Sequence, residues 1–169
     1  MAVSLYTFID LFSRQAGTAI HLLDKGVEFA ALNGVGEAEL LNWRLIDDMN
    51  PLSFQLMVVA NFSRRWPARA AGLPEPAEVT ADMDVAGFRA ALTEARTYLA
   101  GLTAKQFAGR DEVPLTYEIA PGMAPTLPAA QWLTVFANTN LYFHLSMAYA
   151  ILRAKGVPIG KVDLFATGL

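Results

Sequence analysis

From Ile119 to Leu152 the chain carries no aspartate, glutamate, lysine or arginine. Such a run either crosses a membrane or lies at the centre of a water-soluble core, and its interior decides between the two. Pro121, Pro125 and Pro128 break its first part, while Gln131, Asn138, Asn140 and His144 would each be unfavourable in lipid. A buried central helix accounts for the same pattern without that penalty. The expectation is therefore a soluble protein built around a last helix that is apolar on nearly every side, with two asparagines and a histidine in its middle. Buried polar groups need partners or cost about 1–3 kcal/mol each, so those residues form either an internal network or a site.

The rest of the chain supplies helices to surround that centre. Leu5, Phe8, Ile9, Phe12, Ala16, Ala19, Ile20, Leu23 and Val27 recur at helical spacing, with Ser4 as N-cap, and predict a first long helix to about Ala31. Asn33-Gly-Val-Gly36 stops it, and Glu37 to Leu45 reads as a short helix. Asn50-Pro51 is a cap followed by a first-turn proline, opening a second long helix from Leu52 to about Ala71 that Pro67 should kink or shorten. Gly72 to Ala81 is a connector, and Asp82 or Asp84 caps a third helix running to about Leu102. Val113 to Ile119 reads as a short strand and Pro121-Gly122 as a turn, which gives a small hairpin. The last helix then spans about Ala129 to Lys155, ended by Gly156. Four long helices with irregular connections predict one all-α domain over residues 1–169, a four-helix bundle with a hairpin or irregular insert before the last helix. The spacing permits a crossover after Gly72, around 32–50 or around 103–128 without placing it.

Composition closes several function classes. A formal net charge of −3 gives no electrostatic reason to bind nucleic acid. The absence of cysteine excludes disulfides, thiolate metal sites and a cysteine nucleophile. The opening residues lack the basic start and cleavage site of a signal peptide, so a cytoplasmic location is expected. Gly34-Val-Gly36 is a turn and not a dinucleotide loop, and no phosphate loop, serine elbow or zinc-protease helix is present.

Candidate site residues cluster on the last helix. Asn140 and His144 are four residues apart and project side by side, which suits a metal pair or a hydrogen-bonded pair. Tyr142 and Tyr149 are on the same helix and complete the candidate ligand pocket together with Asp48, which precedes the second long helix. His21, the other histidine, falls opposite the first helix's apolar stripe and is expected in solvent. Arg64, Arg65, Trp66 and Arg69 read as a solvated helix end or a dimer-edge salt bridge.

Asp48-Met-Asn-Pro51, Asn140-Leu-Tyr-Phe-His144, Ala148-Tyr-Ala-Ile-Leu-Arg153 and Gly156-Val-Pro-Ile-Gly-Lys-Val-Asp163 resemble an uncharacterised bacterial family among the DinB/YfiT-like bundles. The resemblance extends to the opening Ser4-Leu-Tyr and covers essentially the whole chain. It implies an up-down-down-up bundle, often a homodimer. Many relatives in the wider group hold a divalent metal with three histidines, one near the start of the second long helix and two on the last. Here Asn140 and His144 stand at the last pair, and Asp48 and Met49 near the second helix, so no intact three-histidine site is expected.

Three functions follow. The first is a small-ligand pocket at the Asn140/His144 face without a metal. The second is a metalloenzyme in which His144 and Asp48 hold a divalent Zn, Ni, Fe or Mn. The third is a structural dimer with no small-molecule site. The tail from Gly156 to Phe165 closes over the site or crosses to a partner.

Overall fold

The computed structural model describes residues 4–168; the remaining ends of the expected 1–169 domain, residues 1–3 and 169, lie outside the described residues. Its helices are α1 (Thr7–Leu32), α2 (Glu37–Asn42), α3 (Leu52–Ala71), α4 (Val85–Ala100), α5 (Ala104–Phe107), α6 (Ala129–Gln131) and α7 (Asn138–Ala154). A π-helical turn, Trp132–Ala137, joins α6 to α7, so the last three segments form one continuous rod. Strands β1 (Pro114–Thr116) and β2 (Thr126–Pro128) pair antiparallel with Leu115 opposite Leu127, and a 3-10 turn, Lys161–Phe165, follows α7.

The direction of each long helix can be read from its contacts. Between α3 and the rod that ends in α7, Gln55 meets His144, Phe62 meets Phe136 and Trp66 meets Trp132, so the two are antiparallel. Leu152 packs at Gly26, while Gln15 and Leu145 border one cavity, so α7 runs parallel to α1. Arg89 pairs with Asp24 and Arg96 approaches Gly17, which sets α4 antiparallel to α1. The result is up-down-down-up, with α3 and α4 parallel.

Parallel neighbours need a connection that returns along a helix, and the segment after Gly72 does so. Glu75 bonds to Arg69 and Arg65, the Ala77 carbonyl accepts from Arg64 at 2.9 Å, and Val79 sits on Asn61. Contacts thus run backwards along α3 as the connector advances. The expected solvated basic patch is instead this clamp. Arg64 is buried, with burial pushing its pKa down, and Trp66 belongs to the core. The connector needs those guanidiniums for its carbonyl and carboxylate groups, which is why they leave solvent.

Local capping follows the sequence only in part. Asp84 caps α4 by accepting from the Gly87 amide at 2.7 Å, whereas Asp82 bonds Thr80 outside the helix. Ser4 accepts from Tyr6, a turn before α1 begins, and neither Asn50 nor Pro51 donates a side-chain cap to α3. Pro67 does not end α3, which continues to Ala71 and stops at Gly72 with φ of 71°. The π-helical turn is the larger departure. It inserts one extra residue into the rod and keeps Trp132, Leu133 and Ala137 buried in line with Leu141 and Leu145 of α7. Trp132 stacks on Trp66 at 5.1 Å and donates its indole N–H to the Leu115 carbonyl, which seats the hairpin on the bundle. No helix among the described residues is long and apolar enough to cross a membrane.

The Asn61 amide accepts from the Val79 N–H at 2.9 Å and donates to the Val79 carbonyl at 2.8 Å, both buried. Asn61→Ala strands those two backbone groups and should cost about 2–3 kcal/mol, read as a lower urea midpoint at unchanged m-value.

Candidate functional site

His144 is half-buried on α7, with Phe143 edge-on at 5.1 Å and Phe54 of α3 at 5.9 Å between ring centres. Its Nδ1 lies 2.8 Å from Oε1 of Gln55, a residue that is 3% exposed. The other end of that amide fixes its orientation, because Gln55 Nε2 donates to the Asn50 carbonyl at 3.0 Å. A carbonyl oxygen can only accept, so Nδ1 carries the proton and Nε2 the lone pair. Burial pushes the His144 pKa down from 6.5 to about 4, and the ring is neutral at pH 7. No described residue donates to Nε2.

The neighbouring candidates separate. Asn140 donates its amide to the Phe136 carbonyl at 2.8 Å, across the joint between the π-helical turn and α7. That side chain serves its own helix, and its spacing to His144 does not make a hydrogen-bonded pair. Asp48 is exposed in the turn before α3, with no bond to His144. Tyr149 is half-buried and packs against the core, while Tyr142 is 48% exposed. Among the described residues no three or more histidine, cysteine, aspartate or glutamate side chains gather where a metal could be held. The donor set therefore does not fit the three-histidine centre of the wider group. Gln55 occupies the place on the second long helix facing His144, and as a neutral acceptor of the Nδ1 proton it orients the ring.

The tail settles on its own chain. Val157 and Ile159 are buried, and the Thr167 hydroxyl donates to the Arg14 carbonyl at 2.9 Å. Thr18 donates to the Leu164 carbonyl at 3.4 Å, and Asp163 lies 2.7 Å from His21 Nε2. His21 is thus half-buried and not in open solvent, because the tail returns to cover the face of α1 that the helical stripe alone leaves outside. The Gly160 amide and His21 hold the Asp163 carboxyl below its usual pKa.

Between α1, α7 and this tail is a cavity of about 260 Å³. Tyr142 is the one sequence-selected residue on its lining; His144, Asn140, Tyr149 and Asp48 are not. Two residues that sequence reasoning did not single out matter most here, Gln55 and Gln15. Each is a glutamine inside an apolar helical stretch, and that is the only signal the sequence offers for them.

Because the folded His144 pKa lies below that of the unfolded chain, the unfolded state takes up the proton first as pH falls. This contribution to stability is complete above about pH 6.5 and is lost as pH drops toward about 4. With allowance for solvent screening it is on the order of 1–2 kcal/mol. Urea unfolding of the native protein and His144→Gln at pH 7 and about pH 4.5 should show a smaller pH penalty in the variant.

The model of a domain of unknown function, DUF1993, matches residues 5–165 of this chain. The chain is also similar to a solved protein, a DinB family member from Shewanella denitrificans whose crystal structure was determined at 1.83 Å resolution. The two superpose with a TM-score of 0.82 at 29% identity, over 95% of this chain and 90% of that one. No curated protein matches it. With its up-down-down-up bundle and a family match over nearly its whole length, the chain belongs to the DUF1993 family of DinB-like domains, whose function is unknown.

Proposed function

We propose that this DinB-like domain is a small-molecule-binding protein that uses His144 as a hydrogen-bond acceptor instead of a member of a three-histidine centre. The observation that carries the reading is the fixed tautomer. Gln55 holds the Nδ1 proton, leaving an Nε2 lone pair that no described residue uses. His144 is only half-buried and its Nε2 is not among the buried unpartnered atoms, so that lone pair is open to solvent and to a ligand. With a pKa of about 4 the ring is a poor general base near pH 7, where an effective base has a pKa close to the working pH. The chemistry that remains is acceptance of an N–H or O–H from a ligand. Tyr142 and Tyr149 project from other faces of α7, and Asn140 acts indirectly by securing the helix at Phe136.

Two other readings have particular support. An imidazole whose Nδ1–H is held by a carbonyl is also set up to present Nε2 to a divalent ion, with Asp48 as the sequence-selected carboxylate to enlist. A homodimer without a ligand site is supported by Val135, Tyr142 and Phe143, which remain exposed along the last helix.

Nitrogen-15 NMR of His144 separates the ligand reading from the metal reading. Under the leading reading, phenol shifts Nε2, Zn2+ does not, and His144→Ala abolishes the phenol response. A Zn2+-induced Nε2 shift that Asp48→Ala removes would transfer the assignment to the metal reading. Silence toward both probes would retire both. For the dimer, light scattering should show a species of twice the 18.4 kDa chain mass that Phe143→Asp converts to monomer.

A further inference from the structure

Beyond α7 the chain changes character at Gly160. Just before it, Val157 and Ile159 are buried and pin the chain into the core. After it, none of residues 161–168 is buried, and Val162 is 78% exposed. Polar contacts hold this second stretch to α1. Asp163 spends both carboxylate oxygens: one accepts the Gly160 N–H at 2.7 Å, and the other lies 2.7 Å from His21 Nε2. Thr167 donates to the Arg14 carbonyl at 2.9 Å, and Thr18 donates to the Leu164 carbonyl at 3.4 Å. The stretch also forms one side of the cavity of about 260 Å³, through Leu164, Phe165 and Thr167, opposite Leu11, Thr18 and Leu145 of the helices.

Two glycines distinguish what the closed arrangement needs from what it does not. Gly17 is required, because a Cβ there would stand 2.6 Å from Thr167 Cγ2. The middle of α1 thus gives up helix propensity to let the returning chain lie against it. Gly160 is not required. Its φ of −134° suits any residue, and a Cβ there would meet nothing within 4 Å. Its extra backbone freedom goes unused while the chain is docked, and becomes useful only where the chain swings.

We infer that residues 161–168 are a hinged strap that turns about Gly160 to open and close the α1–α7 cavity, with the Asp163–His21 contact as its latch. Opening breaks contacts with α1 but withdraws no buried side chain of the strap from the core. A local opening of this kind lies well below global unfolding in free energy, while Val157 and Ile159 keep the strap tethered. His144 is not among the residues lining the cavity, so the strap does not depend on the reading of that histidine.

The chain contains no cysteine, so a single introduced thiol reports access. Thr18→Cys places it beneath the strap at a position 2% exposed, and Ser63→Cys, buried within α3, is the control. Iodoacetamide, without denaturant, should alkylate the first about tenfold faster than the second. Adding Asp163→Ala should speed Thr18→Cys by about tenfold again and leave Ser63→Cys unchanged. Gly160→Ala should slow Thr18→Cys about two- to fivefold, because the closed form accepts alanine and the open form loses freedom. Equal rates at the two thiols, no acceleration by Asp163→Ala, acceleration of both thiols together, or no slowing by Gly160→Ala would each overturn the inference.

Discussion

The arrangement of this bundle depends on the hold that α3 keeps on the connector that follows it. Asn61, Arg64, Arg65 and Arg69 bind successive points of residues 75–79 in reverse order, forcing the chain back along the helix it has just left. α4 must then start beside the beginning of α3 and run parallel to it. With α4 so placed, α7 fills the remaining position next to both α1 and α3. The tail after α7 therefore emerges within reach of α1, and the cavity and the His21–Asp163 contact exist only because of that sequence of placements.

The clamp is polar and partly buried, which sets its energetic character. Arg64 is taken out of water at a cost visible in its lowered pKa, offset by the Ala77 carbonyl and by Glu94 at 3.5 Å. Glu75 receives two guanidiniums and is held below its ordinary pKa by them against the opposing effect of burial. Arg69 also lies over the Trp66 and Tyr117 rings at 4.6 and 4.2 Å, coupling the connector to the aromatic group that seats the hairpin. Burial of charge is tolerated because each guanidinium meets a carbonyl or carboxylate, although Arg64 Nε itself is left without a partner.

Polar residues inside the bundle fall into two kinds. Asn61, Ser63 and Asn140 satisfy backbone groups, and each has an evident structural task. Gln55 and Gln15 differ in what they leave over. Gln55 uses its whole amide to orient His144, so the unspent capacity appears on the histidine; Gln15 retains its own. The proposed function rests on the capacity left at His144 Nε2. The π-helical turn contributes by rotating the rod so that Trp132 joins the aromatic group while His144 still meets α3.

By itself the sequence determined the four long helices, the small hairpin and the glycine stops. Those follow from local periodicity and from backbone preferences that need no distant partner. It also led to His144, because a lone histidine in an apolar helix is visible in one dimension. The expectation of a last helix buried on nearly every side is corrected by the bundle, in which Val135, Tyr142 and Phe143 remain exposed because only one face of that helix packs on α1 and α3. The partner of His144, the destination of the tail, the role of the arginines and the unspent amide of Gln15 were decided by tertiary structure. Gln15 and His144 are far apart in the chain and stand out for opposite reasons, one for a bond it lacks and the other for a bond it makes. Hydrogen-bond satisfaction is a property of what surrounds a group in space, and glutamine looks the same in a sequence whether its amide is spent or not.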